Sequence, residues 1–168
     1  MRTLRAALCA AAAVAALGLG ACGSEEQGPA PRGDAGVVGK QWQVIGLYTA
    51  PDAPSGIPRG IATVPQMSFG ESSVVGDTGC AAFTAEVSFS AEDKPANIRD
   101  AEAMRVDSVR YDAPRQPCEG SSSWAHNLMH NLISEGHEFD FTLDPNNQLV
   151  LTLRTGAVDS PSIQMTAL

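Results

Sequence analysis

From Trp42 onward the chain alternates apolar and polar residues with a period of two. Trp42, Val44, Gly46 and Tyr48 are set against Gln43, Ile45, Leu47 and Thr49, and Phe83, Ala85, Val87 and Phe89 against Thr84, Glu86 and Ser88. Further along, Phe139, Phe141 and Leu143 oppose Glu138, Asp140 and Thr142, while Leu149, Leu151 and Leu153 oppose Val150, Thr152 and Arg154. Neighbouring side chains of a strand point to opposite faces, so this pattern predicts half-buried strands with the apolar side inward. Shorter runs at Gln66–Phe69, Ala103–Tyr111 and Ser162–Ala167 extend it. Turn residues separate the runs: Gly76-Asp77-Thr78-Gly79, and Asp144-Pro145-Asn146-Asn147, which closes a hairpin. Strands of this number and spacing predict a mainly antiparallel sheet curved into a small barrel.

One segment follows a different period. In Ser121–Ser134, Trp124, Leu128, Met129, Leu132 and Ile133 recur at helical spacing, with His126, Asn127, His130 and Asn131 on the other side. The serines offer N-caps and Gly136 offers a C-terminal stop. An amphipathic helix packed on the sheet makes the fold class α+β. The connection Thr49–Gly60 carries three prolines and two glycines, a composition for a loop that is either functional or without order of its own.

The beginning of the chain is not part of this pattern. Arg2 and Arg5 precede an apolar, Ala-rich run from Ala6 to Leu19, and Leu19-Gly20-Ala21-Cys22 closes it. This resembles a lipoprotein signal peptide, which implies cleavage after residue 21 and diacylation of Cys22. The apolar run is shorter than the roughly 20 residues that cross a hydrocarbon core. Two acyl chains anchor a protein stably, so the expected location is the extracytoplasmic face of the cell membrane. Residues 22–37, rich in Gly, Pro, Ser and charge, are expected to be a flexible tether, and residues 38–168 a single domain.

Removing residues 1–21 lowers the count of basic side chains from 11 by two, to 9 against 19 acidic, and moves the net charge from −8 to −10. Such a chain repels phosphate backbones, which argues against nucleic acid as a partner. The four cysteines divide by location. Cys9 falls in the signal segment and Cys22 is the lipidation site, leaving Cys80 and Cys118. In an oxidising compartment an isolated pair reads as a disulfide.

A family resemblance enters on the order of these features. Gly39-Lys40-Gln41-Trp42 opens the body, Met67-Ser68-Phe69 ends a strand, and Val75-Gly76-Asp77-Thr78-Gly79-Cys80-Ala81-Ala82-Phe83 follows. A second cysteine then precedes the helix, and a hairpin ends in Leu149-Val150-Leu151. This is similar to the META/HslJ family of envelope lipoprotein domains over about residues 38–155. The family's asparagine after the first cysteine is Ala81 here, and Arg115-Gln116-Pro117 leads to Cys118 in place of the usual approach. The resemblance implies a stress-related or envelope-associated binding module and no enzymatic activity. Gly76 and Gly79 read as turn residues that allow positive φ, and Phe83 as the first core residue of the next strand.

Candidate chemistry is sparse. His126 and His130 stand four apart, a spacing that can chelate a metal, and His137 follows. His-Asn-Leu-Met-His lacks the glutamate of a zinc protease, and the plain reading is a solvated helix face, so no metal or other cofactor is expected. Glu138 and Asp140 share an outward strand face, where neither carboxylate is desolvated as acid–base work requires. Gly70-Glu71-Ser72-Ser73-Val74 lacks the second glycine of a nucleophile elbow. These features point to a monomeric, membrane-anchored, non-enzymatic binding or scaffold domain with an unidentified envelope protein as partner. Two alternatives are an inhibitor of a lysozyme or protease acting through Thr49–Gly60, and a carrier of a small apolar ligand.

Overall fold

The computed structural model describes residues 36–168 apart from Pro54. The expected signal segment, Cys22 and most of the expected tether lie outside the described residues. Nine strands form one antiparallel sheet: β1 (Gln41–Tyr48), β2 (Gln66–Phe69), β3 (Ser73–Asp77), β4 (Ala82–Ala91), β5 (Lys94–Pro95), β6 (Ala103–Tyr111), β7 (Glu138–Leu143), β8 (Gln148–Leu153) and β9 (Ser162–Ala167). One α-helix among the described residues, α1 (Gly120–Leu132), connects β6 to β7, and a single 3-10 turn lies at Ile98–Asp100. Apart from the two-residue β5, which pairs with the end of β4, each strand pairs with those before and after it, and β9 returns to β1. The result is a closed up-and-down barrel of eight strands with one helix packed on it. Closure removes the edges along which an open sheet would pair with other chains.

An eight-stranded barrel is just wide enough to be filled by side chains. Trp42, Val44, Met67, Phe139, Leu149, Leu151, Ile163 and Met165 are at most 1% exposed. Phe141 meets Phe69 and Phe89 edge to face, at centroid distances of 5.8 and 5.7 Å. Inward and outward residues alternate through β4, β7 and β8 as the periodicity predicts.

In β1 the phase changes. Val44 pairs with Met165 and Gly46 with Gln164, so Ile45 is an extra residue that shifts the register. Beyond this bulge Leu47 is fully buried and Tyr48 only partly, reversing the expected faces of that half of the strand. Gly46 gives room there: a Cβ would stand 3.2 Å from the Ser55 carbonyl oxygen. Thr49–Gly60 uses this room to fold back on β1, with the Leu47 amide donating to the Ser55 carbonyl (2.7 Å) and the Ile57 amide to the Ile45 carbonyl (3.4 Å).

The body also begins slightly earlier than residue 38. Val37 is fully buried, and the Trp42 indole N–H donates to its carbonyl at 3.0 Å. Among the described residues, no helix is long and apolar enough to cross a membrane.

The strand registers sort the connections by end. Residues 49–65, 78–81, 112–137 with α1, and 154–161 all lie where Asp77, Ala82 and Tyr111 come together. The opposite end holds the turns at 70–72 and 144–147, the segment 92–102, and both ends of the described chain. Val38 there bridges Phe69, and the Leu168 amide donates to the Gln41 carbonyl.

Candidate functional site

The polar groups with chemical potential gather at the helix-covered end, where the β3–β4 turn meets α1. Thr78 organises that turn. Its buried hydroxyl accepts from the Ala81 amide (3.0 Å) and lies 3.0 Å from the Ala81 carbonyl oxygen, to which it can donate. Asp77 Oδ1 accepts from the Gly79 amide at 2.7 Å, a short turn built on an aspartate side chain. Arg115 closes on the same carboxylate with both contacts from Nη2, at 2.9 and 2.7 Å. Arg115 is about half exposed, so this pair contributes little to stability and serves mainly to seat residues 112–119 against the turn.

The disulfide holds that segment covalently. Cys80 and Cys118 are bonded, with their Cα atoms 5.6 Å apart. The Arg115 amide donates to the Cys80 carbonyl (2.8 Å), and α1 starts two residues beyond Cys118. The expected serine caps do not form. Glu119 is the N-cap, in extended backbone, without a side-chain cap bond, and Ser122 is buried within the helix. The start of α1 is therefore set by the disulfide-tied segment before it. Gly136, at φ 84°, turns the chain after the helix as predicted.

Ala125, Met129 and Leu132 are buried by α1, with Trp124 and Leu128 partly buried beside them. Of the face expected in solvent, Asn127, His130 and Asn131 are exposed and His126 departs from it. His126 is half-buried and its Nδ1 lies 2.8 Å from Thr78 Oγ1. His130 is exposed but stacks on Tyr111, with ring centroids 4.3 Å apart and planes tilted by 30°. The two imidazole centroids are 5.9 Å apart. Burial lowers the His126 pKa from its ordinary value, the neighbouring His130 lowers it further, and Asp77 acts in the opposite direction. His137 lies elsewhere, its Nδ1–H donating to the Leu132 carbonyl at 2.8 Å. Tyr111 donates to the Ile133 carbonyl at 2.7 Å, and burial raises its pKa.

The two glycines of the turn motif have different roles. Gly79 sits at φ 94° inside the turn, as predicted. Gly76 does not turn the chain: it lies within β3, paired with Phe83, where a Cβ would stand 2.5 Å from the Phe83 ring and 2.7 Å from the Gln66 carbonyl oxygen. It is glycine because the Phe83 ring crosses that position.

The remaining candidates are placed away from any enclosed chemistry. Glu138 and Asp140 are exposed on the outer wall, and Asp140 accepts from Arg154 at 2.7 Å. Thr78 lies beside an imidazole, yet its hydroxyl is fully buried and cannot reach a substrate in solution. No group of three or more His, Cys, Asp and Glu side chains among the described residues is placed to hold a metal. Periodicity alone missed Thr78, Asp77, Arg115 and Tyr111. The Asp-x-Gly turn signal was legible, but the meeting of that turn with α1 depends on tertiary packing.

No protein-family model and no curated protein matches the chain. A solved structure described as the NMR structure of a protein from Burkholderia xenovorans superposes with a TM-score of 0.55 at 13% identity, covering 86% of this chain and 94% of that one. The likeness at this identity is one of fold.

Proposed function

We propose that this protein is an envelope lipoprotein of META/HslJ type, anchored through Cys22 on the extracytoplasmic face of the cell membrane. It acts as a non-enzymatic binding or scaffold domain. One observation carries the reading: the described chain begins at the barrel end opposite α1 and the two longest connections, 49–65 and 112–137. A tether attached there leaves the disulfide-stapled rim facing away from the bilayer, the orientation needed to meet another envelope protein. The filled interior supports contact at this outer rim over carriage of an apolar ligand, because Trp42, Phe83 and Phe139 are at most 3% exposed.

A second reading has an observation of its own. Thr49–Gly60 projects from the same rim, is hydrogen-bonded back to β1, and exposes Ala50, Pro51 and Asp52. A loop tied at its base suits insertion into an enzyme cleft, and a negatively charged protein suits a basic lysozyme. Inhibition assays against lysozyme and secreted proteases test it directly.

The main proposal is tested by photo-crosslinking in the native membrane. A crosslinker replacing Asp52 or Asn127 at the rim is expected to capture one and the same envelope protein, and a crosslinker replacing Asn146 at the opposite end is not. Equal capture from both ends, or none from the rim, contradicts it.

A further inference from the structure

We propose that His126 and His130 form a two-histidine binding site for a late first-row transition-metal ion, Cu2+ in preference to Zn2+. The spacing on α1 places the two side chains one turn apart on a single face. With metal–nitrogen bonds of about 2.0 to 2.1 Å and about 1.1 Å from nitrogen to ring centre, two imidazoles sharing an ion have centroids at most roughly 6.3 Å apart. That limit is the trans arrangement; the cis arrangement that tetragonal copper offers two residues one helix turn apart sets the centroids roughly 4.5 Å apart, so from the observed 5.9 Å the exposed His130 ring closes toward His126 on binding.

Both rings are positioned by other groups. Thr78 holds Nδ1 of His126 at 2.8 Å, and Tyr111 stacks on the ring of His130. When the Thr78 proton goes to the Ala81 carbonyl, His126 Nδ1–H donates to Oγ1 and Nε2 carries the lone pair. This is the tautomer a metal selects, with the other ring nitrogen bonded to a polar partner.

Two protein ligands define the site. Asp77 is committed to Arg115 and to the Gly79 amide, and His137 to the Leu132 carbonyl, so solvent or a small ligand completes the coordination. An open site of two imidazoles follows the general affinity order of divalent ions, which places Cu2+ above Zn2+. The inference stands apart from the tethered-domain reading, and either can fail without the other.

The test uses the full-length protein in detergent, prepared without a histidine tag and titrated at neutral pH with CuCl2 and ZnCl2. Calorimetry follows both ions, and electron paramagnetic resonance reports nitrogen coupling to copper. The expected result is one saturable ion per chain, copper tighter than zinc, with two coordinated imidazole nitrogens. His130→Gln changes an exposed ring and is expected to weaken copper binding by about tenfold or more while removing one nitrogen. His137→Gln is expected to leave binding unchanged. Absence of saturable binding, binding that persists undiminished in His130→Gln, or binding that needs His137 overturns the proposal.

Discussion

Gly76 is occupied by glycine because of a side chain that arrives from the next strand. The Phe83 ring and the Gln66 carbonyl both stand where a Cβ would project. Gly76→Ala is therefore expected to cost about 1 to 3 kcal/mol as overpacking, read as a lower urea midpoint. An unchanged midpoint would mean that the ring moves aside without cost. His126 supplies a pH-dependent contribution at the same scale. Its folded pKa lies below the ordinary 6.5, so the stability tied to the neutral ring is fully present above that value. As pH falls through 6.5 the unfolded chain takes up the proton first, and stability declines until the folded ring is protonated too. Melting temperatures stepped downward from about pH 7 should fall less steeply in His126→Gln than in the parent. His130 and Asp77 also act on this ring, so the comparison is of slopes between the two proteins. The histidine spacing was legible in the sequence, but the Thr78 contact was not, because it joins residues 48 positions apart.

At the scale of elements, the disulfide is the main local constraint. It ties the start of β4 to the segment that sets the beginning of α1. Closing a loop with a sequence separation of 38 is expected to contribute about 3 to 4 kcal/mol through the unfolded chain. Replacing Cys80 and Cys118 together by alanine should lower the unfolding free energy by about that amount, measured by chemical denaturation. A change near zero would place the constraint elsewhere. Strands with strict alternation, such as β4, β7 and β8, could be read directly, because two-faced burial writes itself into the sequence. The bounds of β2 were legible too, at Gln66–Phe69. β3 was not, since Gly76-Asp77 carries turn chemistry while the backbone remains extended. The far half of β1 was misphased by a bulge that period-two reasoning cannot register. The serines before Trp124 fit a cap pattern, yet the constraint at Cys118 starts the helix before they can act as caps.

For the whole molecule, closure and filling decide what kind of function the fold can carry. The side chains of eight strands occupy the interior, leaving the outer wall and the two ends as contact surfaces. The wall is polar, with Arg105 near Asp107 and Glu138, and Arg154 on Asp140. Exposed pairs of this kind favour solubility more than stability. Antiparallel barrel architecture and a single packed helix were readable from pattern and spacing. The segregation of long connections to one end was not, because it follows from strand direction around a closed ring. Under the proposed function, a lipid at Cys22 would hold one end of the barrel while the other remains free. Intact mass spectrometry of the native protein extracted from membranes tests this directly. The expected mass begins at Cys22, carries a diacylglyceryl group, and is two hydrogens short of the reduced chain. An unmodified amino terminus, or a chain that begins at Met1, contradicts the account.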